Sequence, residues 1–268
     1  MTDELRFYQL DRDPFSKGLP AADAYETEDL RQATGRLDFL ARAGGIGLLT
    51  AQPGYGKTFA VRRWSGGADR DVDVRYLCLS TVSPTEFYRQ LCSALGLEPS
   101  SRKSDMFRAI QAHLRTQWVD KRVRTVVVLD EAQYLSGDVL RDLTMLTNFD
   151  MDSRNCVAFA LVGQTYTADV LCRGSHEALR QRIVVSYECG GISGEEALGY
   201  ARAMLRAAGG PASLIAEAAV SAAHGVAGGS VRRLGTILST ALRIGAQQGA
   251  REVDAEMVMS ASHEVALR

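Results

Sequence analysis

The feature that most constrains this 268-residue chain is one run of eight residues, Ala51-Gln52-Pro53-Gly54-Tyr55-Gly56-Lys57-Thr58. An apolar run typical of a buried strand, Ile46 to Thr50, precedes it, and helical spacing resumes from Thr58 to Trp64. Glycines in such a turn let backbone N–H groups crowd around phosphate oxygens, while a lysine reaches the terminal phosphates and a threonine hydroxyl binds Mg²⁺. The run therefore predicts a strand, a phosphate-binding loop and a helix.

This run follows the Walker A pattern except at its first position, where Ala51 replaces the usual glycine. A glycine turn before a helix with an incidental Lys-Thr pair is the alternative interpretation, and the position between a strand and a helix favours the phosphate loop. ATP is the expected nucleotide. We predict contacts to it from Pro53, Gly54, Tyr55, Gly56, Lys57, Thr58 and Phe59.

An acidic pair follows a second apolar strand, which is predicted at Thr125–Leu129. At such a strand end one carboxylate can hold Mg²⁺ and the next can activate water. We therefore predict that Thr58 and Asp130 bind Mg²⁺ and that Glu131 is the general base, so that ATP is hydrolysed. Two solvated acids in an exposed turn are the alternative, and the order after the phosphate loop favours the catalytic reading.

Strand and helix signals alternate as far as residue 190, and from Ser193 onward the pattern is helical. The sequence predicts an α/β fold of the P-loop NTPase class, with a five-stranded parallel sheet and a C-terminal all-helical lid. It divides the chain into an N-terminal arm (1–24), a nucleotide-binding domain (25–190) and a helical lid domain (191–268). The five strands are predicted at 46–50, 74–80, 125–129, 156–162 and 183–187, and the lid helices at 194–208, 211–223, 230–245 and 254–267.

Composition excludes several classes of protein. The five cysteines are scattered without a C-x-x-C pair, which argues against a disulfide framework or a zinc site. No apolar run approaches the roughly 18 residues of a membrane helix, and no secretory signal is evident at the N-terminus, so we expect a cytoplasmic protein with no membrane partner. The formal net charge of -1 neither requires nor excludes nucleic acid.

Four further residues, in three segments, have the order along the chain expected of groups that sense or stabilise a γ-phosphate. Gln164 follows the fourth strand and can orient the attacking water, or simply cap the strand. Arg180 and Arg182 precede the fifth strand, where a neighbouring subunit can project an arginine finger; Arg182 is the preferred candidate, and a solvated helix end is the alternative. Arg232 begins a lid helix and can reach the phosphates of its own subunit.

With these residues placed, nearly the whole chain resembles the ExeA and TnsC/TniB group of AAA+ ATPases. The segments that carry the resemblance are Tyr8-Gln9-Leu10, Asp13-Pro14-Phe15, Pro53 to Thr58, Leu129-Asp130-Glu131-Ala132-Gln133, Leu161-Val162-Gly163-Gln164, Leu179-Arg180-Gln181-Arg182-Ile183 and Gly229-Ser230-Val231-Arg232-Arg233-Leu234. Thr165-Tyr166 departs from the group, which often has Pro-Glu at that point.

The resemblance implies head-to-tail assembly into a ring or helical filament. Secretion-type members continue into a membrane segment and a peptidoglycan-binding domain, whereas this sequence ends after the lid, so it looks more like the transposition regulators, which assemble on duplex DNA with ATP and direct a transposase. A protein-directed ATPase of the ExeA type is the alternative. If DNA is bound, the basic candidates are Arg102, Lys103, Lys121, Arg122 and Arg124, although such short clusters are often solvated surface.

Overall fold

The computed structural model describes residues 3–16, 18, 24–78 and 83–266. They group into two compact units. The helical unit is drawn from Met1–Arg31, Gln52–Gly56 and Gly190–Arg268, and the sheet unit from Gln32–Ala51 and Lys57–Cys189. The domain boundaries predicted after residues 24 and 190 remain predictions, and part of the N-terminal arm predicted at 1–24 lies outside the described residues.

A five-stranded, all-parallel sheet forms the centre of the sheet unit, in the order β2-β3-β4-β1-β5. The strands are β1 (Gly45–Ala51), β2 (Val72–Cys78), β3 (Arg124–Asp130), β4 (Val157–Gly163) and β5 (Ile183–Cys189). Every residue of the three inner strands β1, β3 and β4 is buried, as expected where helices cover both faces of a parallel sheet. The predicted α/β fold and its strand number are therefore confirmed.

Parallel register brings the carboxyl ends of the inner strands to one edge of the sheet. Thr50 of β1 lies opposite Gly163 of β4, and Asp130 of β3 lies opposite Val162. In open α/β sheets this carboxyl edge is where ligands bind. The segments after β1, β3 and β4 carry the predicted phosphate loop, Glu131 and Gln164.

Helices surround this sheet, and their apolar faces fill the core. In the described chain these helices are α2 (Glu28–Ala43), α3 (Lys57–Ser65), α4 (Pro84–Ala94), α5 (Lys103–Val119), α6 (Gly137–Leu146), α7 (Tyr166–Leu171) and α8 (Glu177–Arg180), whereas α1 (Asp3–Phe7) belongs to the helical unit. Phe87 of α4, Ile110 of α5 and Leu143 of α6 join Phe159 of β4 in one buried cluster. Burial of such side chains contributes roughly 1.5–3 kcal/mol each, which holds the strand ends in place.

The helical unit has its own apolar core, built from α9 (Gly194–Ala207), α10 (Glu217–Ala227), α11 (Val231–Gln247) and α12 (Ala255–Ala266). Ser193 begins α9 with a capping box, in which its side chain accepts from the N–H of Glu196 and the Glu196 carboxylate accepts in return. Tyr8 and Leu10, from the N-terminal residues, are buried in the same core. The Tyr8 hydroxyl also donates to the carbonyl of Ala250 at 3.0 Å.

The predicted bounds of most strands and lid helices differ from the structure by one or two residues, and those of the second lid helix differ more. The second lid helix was expected at 211–223, but α10 begins only at Glu217, because Ile215 forms a parallel bridge with Val253 and the preceding residues are drawn out of helical geometry. The second strand was expected at 74–80, whereas β2 begins at Val72 and ends at Cys78, and residues 79–82 lie outside the described part of the chain.

Among residues 3–16, 18, 24–78 and 83–266, no helix combines the length and the apolar character needed to cross a membrane.

Candidate nucleotide-binding site

The tip of the phosphate loop, Gln52–Gly56, belongs to the helical unit and is bonded to it. The N–H of Arg232, at the start of α11, donates to the carbonyl of Gly54 at 3.1 Å, and the Tyr55 hydroxyl donates to the carbonyl of Gly228 at 2.6 Å. Gly54 has φ +86°, and a Cβ there would overlap Ser230 Oγ. Only glycine suits that position, both because of its backbone and because of this close approach.

The end of the loop opens α3 in the sheet unit. Lys57 Nζ donates to the carbonyl of Ala51 at 2.8 Å, which holds the lysine stem against the end of β1. Ala51 is fully buried as the last residue of that strand, so a methyl group is accommodated where the pattern usually has glycine. Phe59 is half-buried, with the Arg62 guanidinium 5.0 Å from its ring centroid.

Asp130, the last residue of β3, is held by three donors and is 3% exposed. Its Oδ2 accepts from the Thr58 hydroxyl at 2.8 Å and from the Tyr76 hydroxyl at 2.7 Å, and its Oδ1 accepts from the N–H of Glu131 at 2.9 Å. Burial, together with the bond to Asp130, raises the pKa of Tyr76 well above its ordinary value, so this tyrosine stays a hydrogen-bond donor.

The pairing of Thr58 with Asp130 fits Mg²⁺. Hydroxyl and carboxylate oxygens are the hard ligands that this ion prefers, and Mg²⁺ in phosphate sites is usually held by one or two protein oxygens together with substrate phosphates. In the described residues no group of three or more His, Cys, Asp or Glu side chains forms a metal cage. The two oxygens already bonded at 2.8 Å are therefore the pair that would hold the ion.

A chain of hydrogen bonds runs from Glu131 to the residue after β4. Gln133 donates from Nε2 to Glu131 Oε2 at 2.5 Å, and its Oε1 accepts from the N–H of Gln164 at 3.1 Å. Glu131 has φ +57° and ψ +39°, a left-handed conformation that costs a non-glycine residue roughly 1–2 kcal/mol. The structure thus brings Glu131 and Gln164 to one place through Gln133, which lies in the segment Leu129–Gln133 and for which the sequence predicted no role.

The two arginine-finger candidates are engaged differently in the sheet unit. Arg182 is bonded to the carboxylate of Asp152 at 2.6 Å, while exposed Arg180 donates to the carbonyl of Cys172 at 2.9 Å. Asp152 ends a run of three residues with positive φ, Asp150 (+48°), Met151 (+57°) and Asp152 (+65°). The finger assignment stays a prediction, as does the sensor role of Arg232, whose side chain is exposed.

The structure contradicts one of the five basic candidates for DNA contact. Arg124 is 4% exposed, and its guanidinium stacks on Trp118 with 3.7 Å from Cζ to the ring centroid. It also donates to the carbonyl of Asn155. Its place at the start of the buried strand β3, beside an aromatic ring, removes it from the surface. Arg124 therefore stabilises the fold and is not available to a phosphate backbone.

The other four basic candidates lie around α5. Arg102, Lys121 and Arg122 are exposed, whereas Lys103 is half-buried and paired with Asp142 at 2.5 Å, so its charge is already compensated. Arg102 precedes α5 and Lys121 follows it. Because α5 has 17 residues, these two exposed charges are roughly 25 Å apart. A single anionic ligand would have to be extended to reach both charges.

Comparison with known proteins agrees with this architecture. A family model described as an AAA domain matches residues 41–171. The general secretion pathway protein A of Aeromonas hydrophila is 26% identical over 97% of this chain and 48% of its own length. The ATP-dependent target DNA activator B of Escherichia phage Mu is 27% identical over 45% of this chain and 37% of its own length.

Among solved structures, Cdc6p from Pyrobaculum aerophilum superposes with a TM-score of 0.73 and 17% identity, covering 94% of this chain and 70% of that one. At that identity the likeness concerns the fold alone. This chain covers 48% of the length of the secretion protein and 37% of the length of the phage activator. The parallel sheet, the phosphate loop and the acidic pair, together with the match over residues 41–171, show that this chain has the AAA+ P-loop fold and that those residues match an AAA domain.

Proposed function

We propose that this chain hydrolyses ATP with Glu131 as the general base. The observation that carries the proposal is the arrangement at the end of β3, where Asp130 is bonded to Thr58 and the next residue is a carboxylate held by a side-chain amide. Glu131 accepts a proton from the attacking water, and Lys57 binds the terminal phosphates. Bound Mg²⁺ supplies neutralisation of charge on the β- and γ-phosphate oxygens.

The helical unit holds the tip of the phosphate loop, Gln52–Gly56. The backbone bond from Arg232 to Gly54 fixes the tip residues whose N–H groups bind phosphate oxygens. The Arg232 side chain then contacts the γ-phosphate of its own subunit. Arg182 acts from a neighbouring copy in a head-to-tail assembly, where an arginine stabilises the charge of the transition state.

Steady-state ATP hydrolysis and equilibrium nucleotide binding test these roles together. Glu131→Gln is expected to lose about 10²- to 10⁴-fold in kcat while it retains ATP affinity, since it removes a proton acceptor and leaves the phosphate loop intact. Lys57→Ala is expected to lose affinity. Glu252→Gln, an exposed carboxylate of the helical unit, is the matched control and should behave as wild type. Undiminished hydrolysis by Glu131→Gln overturns the assignment.

We propose further that ATP controls assembly on duplex DNA in the cytoplasm, and that the assembly serves transposition by recruiting a transposase. The similarity to an activator named for target DNA supports this, as do the exposed charges at both ends of α5. Three phosphate contacts per subunit, from Arg102, Lys121 and Arg122, predict a slope of log K against log salt of about −2.7.

Filter binding to a random-sequence duplex, with and without a non-hydrolysable ATP analogue, measures that slope. Each of Arg102→Gln, Lys121→Gln and Arg122→Gln should reduce it by about 0.9. Arg141→Gln is the matched control, because Arg141 is exposed on α6 but already paired with Asp138. An affinity that is independent of nucleotide, or a slope unchanged in all three variants, argues against the proposal.

A second candidate function is an ATPase that acts on protein partners without DNA. The similarity to general secretion pathway protein A favours it, because that match spans 97% of the chain, against 45% for the phage activator. The same measurements separate the two. ATP-dependent self-assembly observed by light scattering, with no change when duplex DNA is added at low salt, supports the protein-directed function.

A further inference from the structure

The side chain of Gln133 uses both ends of its amide between two segments of the site. It lies on a short 3₁₀ turn, Ala132–Tyr134, that follows the acidic pair. The NH₂ group bonds the Glu131 carboxylate at 2.5 Å, and the carbonyl oxygen accepts from the backbone N–H of Gln164 at 3.1 Å. A glutamine is suited to this place because it carries a donor and an acceptor on one rigid plane.

The backbone around this residue fixes where its side chain points. Ala132 is buried, and the N–H of Tyr134 donates to the carbonyl of Glu131 at 3.0 Å, which closes the turn. Gly163, at the end of β4, leaves room for the amide, since a Cβ there would come within 3.1 Å of Gln133 Oε1 and 2.5 Å of Thr167 Oγ1. The turn and the bare glycine together hold the amide between Glu131 and Gln164.

We propose that Gln133 is a positioning residue for hydrolysis, which orients the Glu131 carboxylate and ties it to the segment after β4. The donor on Oε2 sets the rotation of the carboxylate, so that Oε1 is the oxygen presented to the attacking water. The bond to the N–H of Gln164 makes that orientation depend on the position of the strand end. This inference rests on the proposed role of Glu131 as the base.

The proposal predicts a loss in turnover without a loss in binding. Gln133→Met keeps the length of the side chain and removes both hydrogen bonds. We expect kcat to fall about 10- to 100-fold, as for loss of a hydrogen bond to a charged group, with unchanged KM and ATP affinity. Gln133→Glu should fall further, because it keeps the acceptor for the backbone N–H but places a second carboxylate beside Glu131.

A matched control is available elsewhere in the sheet unit. Gln90 on α4 donates to the Glu86 carboxylate at 3.3 Å, which is a glutamine–glutamate bond of the same kind away from the site. Gln90→Met should leave kcat and KM unchanged. Thermal unfolding of each variant, measured in parallel, shows whether the fold is retained.

The double variant distinguishes positioning of the base from a general effect on the site. In a Glu131→Gln background, Gln133→Met should cause no further loss, because the group that it orients is already gone. If Gln133→Met has the same kcat as wild type, or lowers the residual rate of Glu131→Gln by the factor seen alone, the inference is overturned. If its loss appears in ATP affinity or in unfolding temperature and not in kcat, the role is structural and the inference is equally overturned.

Failure of the proposed function looks different from failure of this inference. If Glu131→Gln hydrolyses ATP as fast as wild type, Glu131 is not the general base and the proposed function fails. If Glu131→Gln is inactive and Gln133→Met is fully active, Glu131 is still the general base and only the positioning role of Gln133 is refuted.

Discussion

Arg182 is bound to a carboxylate of its own chain, and this has a measurable consequence if Arg182 is the finger that a neighbouring subunit uses. The guanidinium pairs with Asp152 at 2.6 Å, and the two side chains are 21% and 54% exposed. To act at the nucleotide of a neighbouring subunit, Arg182 must first break its ion pair with Asp152. We predict that Asp152→Asn increases hydrolysis wherever release of Arg182 limits the rate.

The size of the increase follows from the exposure of the pair. Ion pairs that are open to solvent contribute roughly 0.2–1 kcal/mol after screening, so removal of the carboxylate shifts the released fraction of Arg182 by about 1.5- to 5-fold. Arg182→Ala removes the finger itself and should lower the assembly-dependent rate by about 10³-fold or more. Arg180→Ala, on the preceding helix, should have a far smaller effect.

The assay is ATP turnover per subunit over a series of protein concentrations at low and high salt. The matched control is Asp150→Asn, on the same loop, which breaks pairs with Arg115 and Arg154 but leaves the pair of Arg182 intact. The reasoning is refuted if Arg182→Ala turns over ATP like wild type at every concentration, or if both aspartate variants give the same increase.

Other substitutions test stability. Tyr55→Phe removes the 2.6 Å bond to the carbonyl of Gly228 and should lower the free energy of unfolding by about 1 kcal/mol in urea titration. Burial opposes it, but the pKa of Glu196 is lowered because N–H groups at the starts of two helices donate to its carboxylate. The ionised carboxylate therefore stabilises the fold above the unfolded pKa. The higher free energy of unfolding of wild type relative to Glu196→Gln should disappear as pH falls below about 4.5. Burial lowers the pKa of His113, with Lys121 adding to the effect, so stability should fall as pH drops below about 6.5, and His113→Gln should flatten that fall.

Each of these three stability predictions would be contradicted by a specific result. An unchanged unfolding midpoint for Tyr55→Phe shows that water replaces the lost bond. A difference between wild type and Glu196→Gln that does not shrink as pH falls below about 4.5 removes the carboxylate as its cause. A pH dependence that is identical with and without His113 assigns it to other groups.

The features that the sequence predicted correctly are those specified by residues close together along the chain. The strand before the phosphate loop, the loop and the acidic pair are each specified by neighbouring residues, through apolar runs, glycine spacing and a helix start, and the sheet has the expected number of strands. Such features need no knowledge of which strands are neighbours.

Features that depend on strand order were not accessible in that way. Tyr76 meets Asp130 because β2 pairs with β3 in parallel register, a contact between residues 54 positions apart. Gln133 joins Gln164 for the same kind of reason, across 31 positions. Arg124 was misassigned because Lys121 and Arg122 made it look like part of a solvated cluster, whereas the strand buries it.

The contacts of the phosphate-loop tip bear on how this protein can be divided for experiments. The matched AAA domain ends at residue 171, yet the partners of Gly54 and Tyr55 are Arg232 and Gly228, in the last quarter of the sequence. A fragment that ends after β5 would keep every residue of the loop and lose what holds its tip. Its nucleotide affinity would then describe an unsupported loop, so a minimal fragment for binding studies has to extend at least through α11.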